Sequence, residues 1–452
     1  MFRKRLELAM QKSAIQKKGM WAKAAAVAEQ TPADRNRYVD LLRALSISAV
    51  ALGHWLIAAP AFMGGIASMD HLLQIQPPAQ WLTWLFQVMP VFFFVGGYSN
   101  GVSWDGAQAK GQRYSFWLES RLRRLLGPVI PLVLLWAVLG IVGYYLGLSE
   151  KMIQVGSQIS LVPTWFLAIY FVIVMFVPVT RALWRKLGLL SVILPCAMAV
   201  LGDIIYFNTE YKWYGWFNYF FIWGAVHQLG YAWQQGRFRG VAPSLCLAIV
   251  AGICLVLLTL FGHYPISLIG VPGADFSNTT PPKLPLIALG LTQIGLLLAL
   301  EGPARRWLSN ARVWTATVLV NGFIMPIFLW HSTVMIITIG VCFWFLPVVL
   351  SVQPGSGLWW AYRPVWIIAY FAIMMMSLPL FMWLERKIGG GSSKHNTSFT
   401  VIIFGLGMCG GLAFMAGVGV AGNGAFGLNW LAILLPITGV IGLSLIGKKT
   451  AS

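Results

Sequence analysis

Long apolar stretches, separated by short polar and mostly basic ones, run through nearly the whole chain. Twelve of them approach or exceed the roughly 20 residues an α-helix needs to cross a bilayer. They lie at 39–59, 81–99, 122–146, 162–180, 187–207, 214–233, 242–262, 284–301, 315–346, 364–384, 398–420 and 428–447. The ninth is the longest and contains Pro326, which predicts a kinked or broken helix. Ahead of them, residues 1–36 are polar and basic, and their one apolar patch, Ala24–Ala28, is too short for a signal-peptide core. The pattern predicts an all-α integral membrane protein of about twelve transmembrane helices in three parts. A basic cytoplasmic segment (1–36) precedes a ten-helix core (37–388). A flexible linker beginning at Gly389–Ser393 then leads to two extra helices (389–452) that resemble an appendage.

Composition agrees: the 452 residues are 58% hydrophobic and 10% charged, where a soluble domain is nearer a quarter charged. The net charge of +19 does not point to nucleic acid, because the basic residues sit in short clusters between apolar stretches and form no basic domain. With the N-terminus inside, all but four of the 32 lysines and arginines fall on the inner side; the exceptions are Lys151, Lys212, Lys283 and Arg363. That bias predicts both termini in the cytoplasm. Five cysteines without C-x-x-C spacing indicate neither a disulfide framework nor a metal site.

Charged residues inside the apolar pattern are the candidates for chemistry, since such groups face a protein interior or a water-filled cavity. The first stretch opens with Arg37, Asp40 and Arg43 and ends with His54. Arg43 and His54 are eleven residues apart, about three helical turns or roughly 16 Å, which returns both to nearly one face. Asp40 and Arg43, at i and i+3, are spaced to pair. A second constellation runs from Met89-Pro-Val-Phe-Phe-Phe-Val-Gly-Gly to the cluster Arg121-Leu-Arg123-Arg124, where guanidinium groups suit a phosphate cradle. Pro163-Thr-Trp165 starts the fourth stretch, and the run from Asn321 ends at His331. Asp203 lies near the outer end of the fifth stretch; a carboxylate at that depth needs a partner, and orienting His54 is the role expected of it.

Together these segments resemble the acyltransferase-3 family of membrane acyltransferases. Arg43-x10-His54 fits its R-x10-H motif, Phe92-Phe93-Phe94-Val-Gly-Gly97 is similar to its Phe-Phe-x-x-Ser-Gly segment, and Arg121-x-x-Arg124 followed by Pro128 matches its R-x-x-R region. Gly96 stands where serine is common, so that position has no hydroxyl. Trp165-Phe-Leu and the run ending at His331 are weaker matches. The wording is closest to actinobacterial members that act on the cell envelope.

The resemblance implies that 37–388 is an acyltransferase domain of a bacterial cytoplasmic membrane. It implies transfer of an acyl group, commonly acetyl, from acyl-CoA as co-substrate to a carbohydrate or glycolipid hydroxyl. Membrane lipid and envelope-export components are then the expected partners. Arg43, Arg121 and Arg124 would hold the acyl-CoA, and His54 would act as general base or nucleophile, with Arg37, Asp40, Trp165 and His331 as further candidates. The rival reading is a secondary transporter of an envelope precursor. Against it, the two halves of the chain show no corresponding broken helices, and the charged motifs concentrate in the first third.

Overall fold

The computed structural model describes residues 19–238, 240–388 and 397–449. The basic segment up to residue 18 and the linker at Gly389–Ser393 lie outside the described residues. The described chain is almost wholly helical: α1 (Met20–Glu29), α2 (Arg37–Ile57), α3 (Met89–Ala109), α4 (Tyr114–Leu126), α5 (Val129–Tyr145), α6 (Glu150–Leu161), α7 (Pro163–Met175) and α8 (Val177–Leu187). It continues with α9 (Leu190–Asn208), α10 (Asn218–Gln234), α11 (Val241–Phe261), α12 (Pro285–Trp307), α13 (Ala311–Phe345), α14 (Gly357–Ile388), α15 (Ser398–Val418) and α16 (Trp430–Lys449).

Among the described residues, nine helical segments are long and apolar enough to span a membrane, or ten if the pair α6 and α7, bent by 45°, is one span. Nine of the twelve predicted stretches are therefore present as such, 162–180 counts only through that bent pair, 428–447 corresponds to the 20-residue α16, and 214–233 falls short. The physical reason is clearest at α10. It is 17 residues long, is preceded by a 3-10 turn at Lys212–Phe217, and is buried along most of its length by other helices. A helix surrounded by protein does not have to match the bilayer's thickness. On the periphery, α9, α11 and α14 keep large apolar side chains exposed, among them Ile204, Ile249 and Ile368. Such residues suit contact with lipid.

Three helix contacts position the candidate residues. α2 packs against α13 and α3, while α3 packs against α10. The α3–α10 crossing depends on glycine: a Cβ on Gly97 would lie 1.7 Å from the His227 carbonyl oxygen, and one on Gly230 would lie 2.2 Å from that of Phe94. Only residues without a side chain let two backbones come this close. α13 runs as one helix of 35 residues through Pro326, so the chain is not broken there.

The connection after α2 holds the one hairpin among the described residues. β1 (Ala58–Met63) pairs antiparallel with β2 (Ile66–His71), from Ala58 opposite His71 to Met63 opposite Ile66. Gly64 and Gly65, both at positive φ, form its two-residue loop, which suits the backbone twist of such hairpins. Three short helical pieces come next, Leu72–Ile75, Pro77–Leu82 and Thr83–Phe86.

The terminal pair is not set apart from the core. α15 lies along α7 and α6: the Leu412 carbonyl accepts from Thr164 of α7 at 3.2 Å and the Gly417 carbonyl accepts from Gln158 of α6 at 2.7 Å.

Candidate active site

α2 starts cleanly because Asn36 accepts a hydrogen bond from the Tyr38 amide at 3.1 Å. Asp40, one turn in, is 4% exposed. Arg35 donates to it through two nitrogens at 2.7 and 3.0 Å, and Arg43 reaches it at 3.3 Å. These bonds push the Arg35 guanidinium's pKa further up. Asn321 on α13 donates to the Asp40 backbone carbonyl at 2.9 Å, joining the two helices at this level.

The other arm of Arg43 donates to Ser99 on α3 at 3.0 Å. Arg43 lies within electrostatic reach of Arg35, Arg124 and Tyr170, and Arg121 within reach of Arg43, Arg124 and Tyr170. Arg121 donates to Ser103 and stands over the Trp117 ring. Arg123, between the two, is neutralised by Glu119 at 2.8 Å. Among the described residues, Asp40 is the one carboxylate that pairs with Arg35, Arg43, Arg121 or Arg124. Arg35 and Arg43 share this one carboxylate and Arg121 and Arg124 lie close by, so the cluster carries a strong positive excess, with Arg35 and Arg124 exposed at its edge. Like charges so placed repel, and an anion with several oxygens would relieve them.

At the C-terminal end of α2 the arrangement differs. His54 Nδ1 is 2.8 Å from His331 Nε2, and the Ser332 hydroxyl lies 3.4 Å from the same Nδ1. The ring centroids are 5.0 Å apart and the planes 22° apart. That separation leaves about one ring radius on each side of the nitrogen pair, so the rings meet edge to edge. His331 Nδ1 faces two backbone carbonyls, Ile327 at 3.0 Å and Phe328 at 2.8 Å. Carbonyls only accept, so Nδ1 of His331 carries a hydrogen and its Nε2 is bare when the ring is neutral. The hydrogen between the rings then belongs to His54 Nδ1. His54 Nε2 is left with a free lone pair.

His54 and the frame around it are held from both sides. Trp55 donates to the His331 carbonyl at 3.1 Å. Arg363, 2% exposed, donates to the carbonyls of Trp55 (2.7 Å), Leu56 (3.0 Å) and Ala58, and it stacks on Trp359 at 4.2 Å. A guanidinium on the last carbonyls of a helix satisfies acceptors that have no partner within the helix.

A basic chamber at one end of a helix and a base with a free lone pair at the other suit the transfer of a group carried on an anionic donor. The family model of acyltransferase-3, an acyltransferase domain, matches residues 36–386. The chain belongs to the acyltransferase-3 family. It is a multi-pass membrane acyltransferase. No curated protein and no solved structure gives a significant match.

In this acyltransferase-3 chain, most of the sequence candidates converge and three do not. Arg43, Arg121, Arg124 and Asp40 form one cluster, and His54 and His331 share a hydrogen bond. Asp203 does not orient His54. Its carboxylate accepts from Asn218, Tyr264 and the Leu284 amide, each at 2.9 Å. The donors it needed come from α10 and the 263–284 loop, so it fastens that loop instead. Arg37 donates to the Leu308 carbonyl at 3.1 Å and stands over Trp314 at 5.0 Å, which ties α2 to the start of α13 outside the chamber. Trp165 packs on Phe166 and Tyr219, and it is Phe166 that reaches the site, through Phe328 against His331.

The family's serine position is explained by a neighbour the sequence did not single out. A Cβ on Gly96 would lie 2.6 Å from the Tyr170 ring and 2.9 Å from its hydroxyl, so Tyr170 occupies the room that glycine leaves. The Asn100 amide donates to the Tyr170 oxygen and to His227 Nε2, both at 3.1 Å. With its oxygen accepting, the Tyr170 hydroxyl keeps its own hydrogen to donate towards the arginine chamber. Tyr170, Asn100 and Arg363 are ordinary helix residues in sequence; only the pairing of Gly96 with a distant bulky side chain marks any of them.

Proposed function

We propose that this membrane acyltransferase moves an acyl group from cytoplasmic acyl-CoA to a hydroxyl of a cell-envelope carbohydrate or glycolipid in the inner membrane of a bacterium. The observation that carries the reading is the hydrogen bond from His54 to His331, which leaves His54 Nε2 unprotonated. That nitrogen takes the proton of the acceptor hydroxyl as its oxygen attacks the thioester carbonyl. The carbon–sulfur bond then breaks, and the departing coenzyme A thiolate takes the proton from His54. The same lone pair also serves a two-step route through an acyl-imidazole, with the acceptor attacking second. In both routes His331 accepts from His54 Nδ1 and holds the positive ring that forms, as a neutral acceptor rather than a carboxylate.

Arg43, Arg121, Arg124 and the Tyr170 hydroxyl would receive the phosphates of the donor's head. The roughly 16 Å along α2 from Arg43 to His54 suits a long flexible arm that ends in a thioester. This direction requires the chamber, and both termini, to face the cytoplasm. A topology reporter fused after Lys449 should read as cytoplasmic.

The deciding experiment incubates the purified protein with labelled acyl-CoA and envelope lipids, then identifies the labelled product by mass spectrometry. Label should appear in a glycolipid or carbohydrate with wild type and not with His54→Ala. Undiminished transfer by His54→Ala overturns the assignment.

A further inference from the structure

A cavity of about 170 Å³ lies against His54 on the side away from the arginines. Its walls are Val50, Gly53 and Ile57 of α2, Leu72 and Leu73 after the hairpin, and Phe86 with Met89 at the start of α3. Three polar side chains and no charged one reach it: His54, Thr83 and Gln87. Two of these are already occupied. Thr83 donates to the Gln80 carbonyl at 2.6 Å and accepts from the Leu268 amide at 2.9 Å. Gln87 donates to the Leu268 carbonyl at 3.0 Å and accepts from the Met89 amide at 3.3 Å. His54 is left as the one reactive polar group facing an apolar space. A sugar would find no partners there for its hydroxyls, and leaving them unpaired is costly.

We infer that this cavity holds the acyl chain of the donor and sets which chain is transferred, at about four to six carbons. The inference rests on the proposed function. With the phosphates among the arginines and the thioester at His54, the part of the donor that continues past His54 is its acyl chain. The size comes from comparison: a dry apolar cavity of about 150 Å³ accommodates benzene, with six carbons. An acetyl group would leave most of this space empty, and a long fatty chain would have to run out through its open side.

The test measures thiol release and acylated product with acetyl-, butyryl-, hexanoyl- and palmitoyl-CoA, using the full chain in lipid nanodiscs with envelope lipids. Wild type should transfer butyryl and hexanoyl groups in preference to acetyl and palmitoyl. Ala49→Leu puts extra methylenes into the cavity wall one turn below Gly53. It should lower the hexanoyl-to-acetyl ratio by about tenfold or more, since one methylene in an apolar pocket is worth about that much. Leu73→Ala, which enlarges the space, should move the ratio the other way. The direction of the ratio is read within each variant, so a partial loss of folded protein does not mimic it.

The same chain-length ratio in wild type and both variants overturns the inference while leaving the proposed function standing. A ratio that stays fixed while the acylated lipid changes assigns the cavity to the acceptor's tail and overturns it as well. No thiol release from any acyl-CoA overturns both.

Discussion

His54 Nδ1 and His331 Nε2 lie 2.8 Å apart although 277 residues separate them in the chain. The contact fixes where every hydrogen of the pair sits. Two carbonyls claim the far nitrogen of His331, so the near one accepts, and His54 Nε2 keeps its lone pair.

Removing either ring should therefore have different effects. His54→Ala should reduce transfer by about 10²–10⁴-fold, the usual contribution of a positioned base. His331→Ala keeps the base but frees its tautomer, so kcat should fall by at least about tenfold with the KM for acyl-CoA little changed. Steady-state kinetics on both variants checks this; an equal rise in KM for His331→Ala would assign that residue to donor binding.

The arginine chamber predicts a loss of donor affinity without loss of fold. Arg124→Ala should weaken acyl-CoA binding by about 10–100-fold, as expected for a hydrogen bond between charged groups. Arg123→Ala removes a cation already paired with Glu119 and should change binding much less. Equilibrium binding of labelled acyl-CoA separates the two, and equal effects would reduce the cluster to a topology signal.

Tyr170 should behave as a donor ligand supplied in place of a serine. Tyr170→Ala should weaken acyl-CoA binding by about tenfold or more, the value of one hydrogen bond to a charged group. Adding Gly96→Ser to that variant returns a hydroxyl to the vacated space, beside the position where a Cβ would have met the tyrosine oxygen at 2.9 Å. Part of the lost affinity should return in the double variant, measured by the same titration.

Gly97 should be intolerant for a reason unrelated to chemistry. A Cβ there meets a backbone oxygen at 1.7 Å, so Gly97→Ala must push α3 away from α10, and overpacking of this kind costs about 1–3 kcal/mol or more. Gly106, on the same helix, has nothing within 4 Å of a built Cβ, so Gly106→Ala should be neutral or stabilising by up to about 1 kcal/mol. Thermal unfolding in one detergent should show a lower Tm for the first and not for the second.

The apolar pattern by itself determined the class of this protein, nine of its spans, and the helix carrying Arg43 and His54 on one face. Period and length are local properties, and lipid makes them strict by leaving no water for an unpaired backbone group. The pairing of Asp40 with Arg43 was equally legible, because a helix fixes what lies three residues away. What orients His54 was not legible. Both Asp203 and His331 are polar groups in apolar stretches, and nothing along the chain says which of them meets α2. Tertiary packing decided it: α13 lies beside α2, while Asp203 finds its donors on α10 and in the 263–284 loop. The same holds for Tyr170 behind Gly96 and for Arg363 on the end of α2. Each matters only through a partner far away in sequence, and a contact between distant segments is set by how whole helices pack, not by the residues on either side of it.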